Sequence, residues 1–327
     1  MKKYHVFGIG NALVDMEFIV NEDWLSRMKV EKGVMTLVDE KRQHELMNEL
    51  DPFEAKKFCG GSAANTMIAI SQYGGRAFYT CRVSNDDLGQ FYFEDLVREG
   101  VATNLSSQRP SGITGKCMVL ITPDAERSMN TFLGISQELS IKDLLEKEIM
   151  DSEYIYLEGY LASSQSGKEA ATFARILAQK NGVKVAITLS DLAMVRYFRT
   201  QMEEMMGEKV DLLFANFEEA AEFSGSSNLE EVLDKIGKVA TSFAITRGSR
   251  GAIVFDGEHF HHVEAPKVNP IDTTGAGDLF AGTFLYAITH GKNFYQAGTL
   301  ACMAASKLVT QYGARLTRDQ IKELASI

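Results

Sequence analysis

The chain of 327 residues has only four cysteines and no Cys-x-x-Cys pair among them. Cys59, Cys81, Cys117 and Cys302 lie far apart, which argues against a disulfide framework and predicts four reduced, mostly buried thiols. Long apolar runs are missing too: none approaches the roughly 18 residues a membrane-spanning helix needs. The opening MKKYHVFGIGNALVDME sets two lysines before an apolar stretch. Asp15 and Glu17 interrupt that stretch and no small-residue cleavage pattern follows, so it is not read as a signal peptide and a cytoplasmic protein is expected. Basic blocks are absent: 34 Lys and Arg stand against 44 Asp and Glu, a net charge of -10, which makes nucleic acid and anionic membranes poor partners. No Gly-Lys-Ser or Gly-Lys-Thr occurs, which removes the P-loop. Internal repeats and low-complexity linkers are lacking as well.

What is present is an alternation. Period-2 apolar runs (YHVFGIG, AFYTCRVS, YIYLEGYL, KVAITLS, DLLFANF) take turns with period-3.6 segments such as SAANTMIAISQYGG, DLGQFYFEDLVREG, KEAATFARILAQKNG, RYFRTQMEEMMG and EEAAEFSG. Such repetition predicts an α/β fold with a mostly parallel sheet and helices on both faces, a three-layer α/β/α arrangement. At 45% hydrophobic, the chain can fill one large domain spanning 1–327. DMEFIV, VMTLVD, AKKFCGG, GKCMVLITP and RSMNTFLGI break the rhythm. They predict a small inserted sheet, acting as a lid, contributed by about 16–38, 55–61 and 112–134. His259, His261 and His262 fall in a short strand after an Asp-Gly turn, and no further ligand stands at metal spacing.

The chemistry concentrates in glycine-rich turns. In DTTGAGD, Gly275, Ala276 and Gly277 open a helix whose stretch Thr273–Thr289 carries one charge, Asp278. Bare amides at a helix start form an anion site, and an unpartnered carboxylate in so apolar a helix would cost several kcal/mol. GIGNAL, residues 8 to 13, begins like a dinucleotide fingerprint but has Leu13 where a third glycine is required, which counts against a dehydrogenase. It leaves Asp15 just beyond the first strand. In GGSAANT, Gly60 and Gly61 allow close backbone approach and Asn65 offers a donor and an acceptor; with Asp15 it could fork onto neighbouring hydroxyls, or the segment could be a turn capped by Ser62. Asn216 and Glu219 in NFEE read equally as a capping box. TRGSRG, with Thr246, Gly248 and Gly251, reads as a hairpin turn.

Taken in order, Gly8-Ile9-Gly10-Asn11 with Asp15, Gly60-Gly61 with Asn65, Asn216-x-x-Glu219, Thr246-x-Gly248-x-x-Gly251 and DTTGAGD resemble the PfkB family of carbohydrate and nucleoside kinases, also called ribokinase-like, across essentially the whole chain. The resemblance implies ATP-dependent phosphorylation of a hydroxymethyl group on a small polyol. It implies Asp278 as catalytic base, with the Gly275, Ala276 and Gly277 amides as anion hole. Asp15, Gly60, Gly61 and Asn65 take the acceptor role, and Thr246, Gly248 and Gly251 the nucleotide role. Asn216 and Glu219 are implied to hold Mg2+ and the phosphates through water, and Arg127 to reach the phosphates from the lid. ATP and Mg2+ are the implied cofactors, with K+ as a further candidate. The partner is a small molecule, and the protein a monomer or homodimer. GNALVD and the TGKCMVLIT…RSM lid resemble adenosine kinases more than ribokinases, so adenosine is the first acceptor expected and ribose or fructose the second. A binding protein that kept the fold without the chemistry is the rival, and the intact Asp278 and GAG speak against it. A loose phosphoryl-transfer transition state leaves the acceptor proton in place until late, so Asp278 is expected to work without a strongly perturbed pKa.

Overall fold

Consecutive strand residues in the alternating segments part into two apolar layers. Val6, Tyr156, Leu212 and Ala244 join one; Phe7, Leu157, Leu213 and Ile245 join the other. Burial on both faces is what a central parallel sheet requires. The computed structural model describes residues 2–50, 56–124 and 126–326.

Its strands, numbered along the chain, are β1 (Tyr4–Ile9), β2 (Leu13–Ile19), β3 (Met35–Leu37), β4 (Lys56–Gly60), β5 (Ala77–Thr80), β6 (Ala102–Thr103) and β7 (Lys116–Ile121). They continue as β8 (Arg127–Phe132), β9 (Ser152–Glu158), β10 (Lys184–Thr188), β11 (Val210–Asn216), β12 (Ala240–Thr246), β13 (Ala252–Phe255) and β14 (Phe260–Val263). The large sheet runs β14-β13-β12-β11-β10-β9-β1-β5-β6. It is parallel from β12 to β6, and β13 and β14 add an antiparallel edge. Helices Ser62–Gln72, Ala276–Thr289 and Phe294–Leu308 pack on one face. Gln165–Lys180, Leu192–Met206, Phe217–Ser224 and Leu229–Val239 cover the other. The result is the expected three-layer α/β/α body.

The off-rhythm strands form a second sheet, ordered β3-β8-β7-β2-β4. Its register aligns Leu37, Thr131, Cys117, Asp15 and Phe58 in one row across all five strands. The stretch 16–38 is not all strand: Glu22–Arg27 is a short helix capped by Asn21, and just beyond the stretch Glu40–Asn48 is another, capped by Asp39. The physical reason is burial. Val14, Met16, Phe18, Met118 and Leu120 project from the far side of the sheet, and Leu25 and Leu46 of these helices join them in one apolar cluster. A sheet apolar on that face needs a cover.

All four thiols are free and buried, as expected. Among the described residues, no helix is long and apolar enough to cross a membrane.

Candidate active site

The carboxyl ends of the parallel strands and the inner face of the small sheet enclose a cavity of about 870 Å³. Asn11 after β1, Glu158 at the end of β9, Thr188 at the end of β10, Asn216 and Thr246 all line it. Ligands of open α/β sheets bind at this edge, where connections leave the strands.

Asp278 stands on its wall, in the first turn of Ala276–Thr289. Gly275 before that helix has φ +74, and a Cβ on it would lie 2.6 Å from the Ala314 carbonyl, so only glycine fits without strain. Gly277, which lines the cavity, differs: a Cβ there would meet nothing within 4 Å. The Ala276 amide donates to the Thr273 carbonyl at 3.2 Å. Of the three amides expected to form an anion hole, that one is already partly committed.

Both oxygens of the Asp278 carboxylate are held. Ser62 Oγ donates to Oδ1 at 2.6 Å, and Asn65 Nδ2 donates to Oδ2 at 3.0 Å. Burial pushes the carboxyl up to about 6, against the pull of these two hydrogen bonds and of the Arg315 guanidinium. The carboxyl is thus moved further toward neutrality than the reaction requires, because desolvation outweighs its partners. Ser62 is not a helix cap. Gly61, at φ +101, takes the cap position without a side-chain bond, and a Cβ there would lie 2.3 Å from the Asn11 carbonyl.

Asn65 is less free than the sequence suggests, because its Oδ1 accepts from Arg315 Nε at 2.9 Å while its Nδ2 serves Asp278. One N–H and one lone pair of the amide are thus engaged within the protein, while the side chain still lines the cavity. Asp15, on β2, faces the cavity, and burial raises its carboxyl to about 7, with Arg315 opposing and Glu17 and Asp278 adding to the rise. Gly60 does not line the cavity. A Cβ on it would sit 2.3 Å from Asp15 Oδ2, so its bare backbone makes room for that carboxylate.

Asn216 and Glu219 line the cavity and also form the capping box: Asn216 accepts from the Glu219 amide and Glu219 from the Asn216 amide. The cap therefore does not remove NFEE from the cavity wall. Burial raises Glu219 to about 7. Thr246, Gly248 and Gly251 line the far end, on the turn between β12 and β13. Gly251 has φ +74 and stands where a Cβ would be 1.9 Å from the Val263 carbonyl. Arg127 does not line the cavity. It pairs with Glu17 at 3.1 Å and Asp272 at 3.2 Å and reaches Thr274 Oγ1 at 3.4 Å, which ties β8 of the small sheet to the loop before Gly275.

Three residues escaped the sequence reading. Ser62 was in view but assigned a local role. Glu158, fully buried, accepts from the amides of Asn11 at 2.6 Å and Ala63 at 2.9 Å, and burial raises it to about 8. It is the lone charge in the apolar run YIYLEGYL, the same signal that marked Asp278. Arg315 had no signal at all, since its partner Asn65 is 250 residues away.

A carboxylate and free amides at a glycine-opened helix start, at the carboxyl edge of a parallel sheet and facing a small second sheet, define a ribokinase-like phosphotransferase. The chain belongs to the pfkB family of carbohydrate kinases, whose profile matches residues 32–321. It is accordingly a kinase that uses ATP and an alcohol-group acceptor. Among solved structures it is similar to a probable sugar kinase from Rhizobium etli CFN 42, with 33% identity, TM-score 0.90 and 100% and 99% of the two chains covered. It is likewise similar to the adenosine kinase from Sinorhizobium meliloti, at 32% identity, TM-score 0.89 and 99% of each chain. Adenosine kinase 1 of Arabidopsis thaliana is 23% identical over 94% of both chains.

Proposed function

We propose that the protein transfers the γ-phosphoryl group of ATP to the hydroxymethyl group of a nucleoside, adenosine first, with Asp278 as base. The observation that carries this reading is the two-point grip of Ser62 and Asn65 on Asp278 beside the cavity-lining Gly277. A carboxylate so held presents a fixed oxygen to an incoming hydroxyl, and positioning is most of what phosphoryl transfer asks of a protein. Bound ATP supplies the phosphoryl group, and the space over Gly277 fits one. The Gly275 and Gly277 amides donate to its oxygens, an effect typically worth about 10^2 to 10^3 in rate per donor. Asn216 and Glu219 would hold Mg2+ through water. Asp15 accepts from the other hydroxyls of the acceptor. The small sheet acts as a lid that keeps water from the phosphoryl group.

The acceptor wall supports a nucleoside through Leu13, Met35, Leu37, Met129 and Leu133, an apolar surface beside Asp15 that a free sugar does not need. One feature favours the second reading, a sugar acceptor: the small-sheet side chains on that wall are aliphatic, thioether, thiol or hydroxyl, and none is aromatic. The similarity to a probable sugar kinase points the same way. Steady-state phosphorylation with ATP and adenosine, 2'-deoxyadenosine, ribose and fructose separates the two. The proposal expects adenosine to have the highest kcat/KM and the deoxy analogue to lose about 1 to 3 kcal/mol for the unpaired group it leaves. A higher value for ribose or fructose overturns the nucleoside, and equal values for adenosine and its deoxy analogue overturn the hydroxyl contacts.

A further inference from the structure

We infer that Arg315 is the positioning residue for the Asp278 carboxylate, acting through the Asn65 amide. The inference rests on reading Asp278 as the base, and the experiment below keeps the two apart.

Arg315 lies beyond helix Phe294–Leu308, in the segment that returns the chain across the site. Its guanidinium is pinned on three sides. Nη1 meets Asp95 at 2.6 Å, Nη2 donates to the Cys59 carbonyl, and Nε donates to Asn65 Oδ1 at 2.9 Å. Asn65 is buried at 7% exposure, so its amide has protein on both sides. With an arginine N–H facing one side, only the carbonyl oxygen of the amide can stand there, and Nδ2 must point at Asp278. The planar fork thus fixes an amide, the amide fixes one carboxylate oxygen, and Ser62 fixes the other. Removing the guanidinium frees the amide to rotate.

Charge works in the same direction. The titratable groups that feel the Asp278 charge from the surrounding elements are the carboxyls of Asp15, Glu158 and Glu219 and the phenols of Tyr156 and Tyr160, and that charge favours the neutral form of each. Burial is what raises Asp278; the Ser62 and Asn65 hydrogen bonds and then the Arg315 charge oppose it, and Arg315 also acts on Asp15. Arg315 thus supports the ionised carboxylate in two ways, by its own charge and by aiming the Asn65 donor at it.

The test pairs a titration with a rate. In the ligand-free protein the Asp278 carboxyl is followed by 13C NMR, assigned by its loss in Asp278→Asn, and phosphorylation of adenosine by ATP is measured against pH. In Arg315→Met the carboxyl is expected to titrate above the wild-type value of about 6, since the variant loses the opposing charge and releases the Asn65 donor that favours the ionised form. The acidic limb of kcat/KM should move with it, kcat at pH 8.5 should fall roughly ten- to a hundredfold from misplacement, and the KM for ATP should stay unchanged. A folded Arg315→Met protein whose Asp278 titrates where the wild type does overturns the inference, even if its rate is lower, because that is the result of a purely structural role. Should the Met variant not fold, Arg315→Lys keeps the charge and loses the fork. It is expected to titrate near the wild-type value with a reduced kcat, and a wild-type kcat in it overturns the positioning role. Full turnover in Asp278→Asn would instead sink the base while leaving the titration result intact.

Discussion

At one end of the cavity Asp15, Glu158 and Asp278 stand among Leu13, Met35, Leu37 and Met129. At the other, Thr246, Gly248, Gly251, Ala265, Pro266, Ala305 and Val309 form the wall, with Lys267 and, beside Asn216 and Thr246, Glu219 as charged side chains. The first end buries carboxyls that burial raises to about 7, 8 and 6 and ties the last of them to Ser62, Asn65 and, beyond these, Arg315. The second is made of backbone, small residues and glycines in left-handed turns. Reactivity calls for charge held out of water at a fixed place, whereas binding a common cofactor calls mainly for shape. The difference predicts where the protein is sensitive to pH, and to what kind of substitution each end responds.

The comparison is tested hardest at Asp278. Asp278→Asn keeps size and helix start but removes the proton acceptor, so kcat should fall by roughly 10^2 to 10^4 while ATP affinity stays put. Turnover kinetics with calorimetry of ATP binding reads both. Next come the glycines, which part according to their surroundings. Gly277→Ala adds a methyl to open cavity, so the fold should survive and kcat should drop by roughly 10^2 as the amide is covered. Gly251→Ala drives a Cβ into the Val263 carbonyl at φ +74, so thermal denaturation should show a loss of at least about 1 to 3 kcal/mol. A stable Gly251→Ala protein with normal ATP affinity would break the claim that the second end works by backbone shape.

Asp15→Asn should weaken acceptor binding by about 1 to 3 kcal/mol and leave ATP binding alone, as calorimetry would show. A separate effect concerns stability against pH. Asp15, Glu158, Glu219 and Asp278 all have carboxyls raised in the folded protein, so folding favours their protonated forms. Their contribution to stability is fully present below about pH 4, the unfolded carboxyl range, and is lost as pH rises through about 6 to 8. The melting temperature of the ligand-free protein should therefore slope downward over that window, and the slope should flatten in Glu158→Gln. At the other end, Lys267→Ala should change stability by less than about 0.5 kcal/mol, as expected of an exposed side chain.

Local signals explain what could be read in the sequence. The strand-helix alternation was legible because each element carries its own period, and the glycine turns because each is a contiguous string. Helix Leu229–Val239 went unread although Asn228 caps it and Val232, Leu233 and Ile236 keep helical spacing. The helices over the small sheet went unread because strand-like runs flank them. In the site, Asp278 announced itself as a lone charge in an apolar helix, but its partners did not. Ser62 lies 216 residues away and Arg315 reaches Asn65 across 250, so only folding brings them together. Asn65 itself was found, but its bonds to Asp278 and Arg315 were not, because a side-chain amide offers the same atoms to a sugar hydroxyl as to a carboxylate.

The central claim is that one buried carboxylate at the acceptor end must be ionised for phosphoryl transfer. It is tested most directly by the pH dependence of kcat/KM for the acceptor in the wild type and in Asp278→Asn. The account predicts an acidic limb near pH 6 in the wild type, with rate lost as pH falls through that value, and no such limb in the residual activity of the variant. The KM for ATP should stay flat over the same range. A wild-type profile that is level down to pH 4.5, or a limb near pH 6 that persists in the Asn variant, would contradict it.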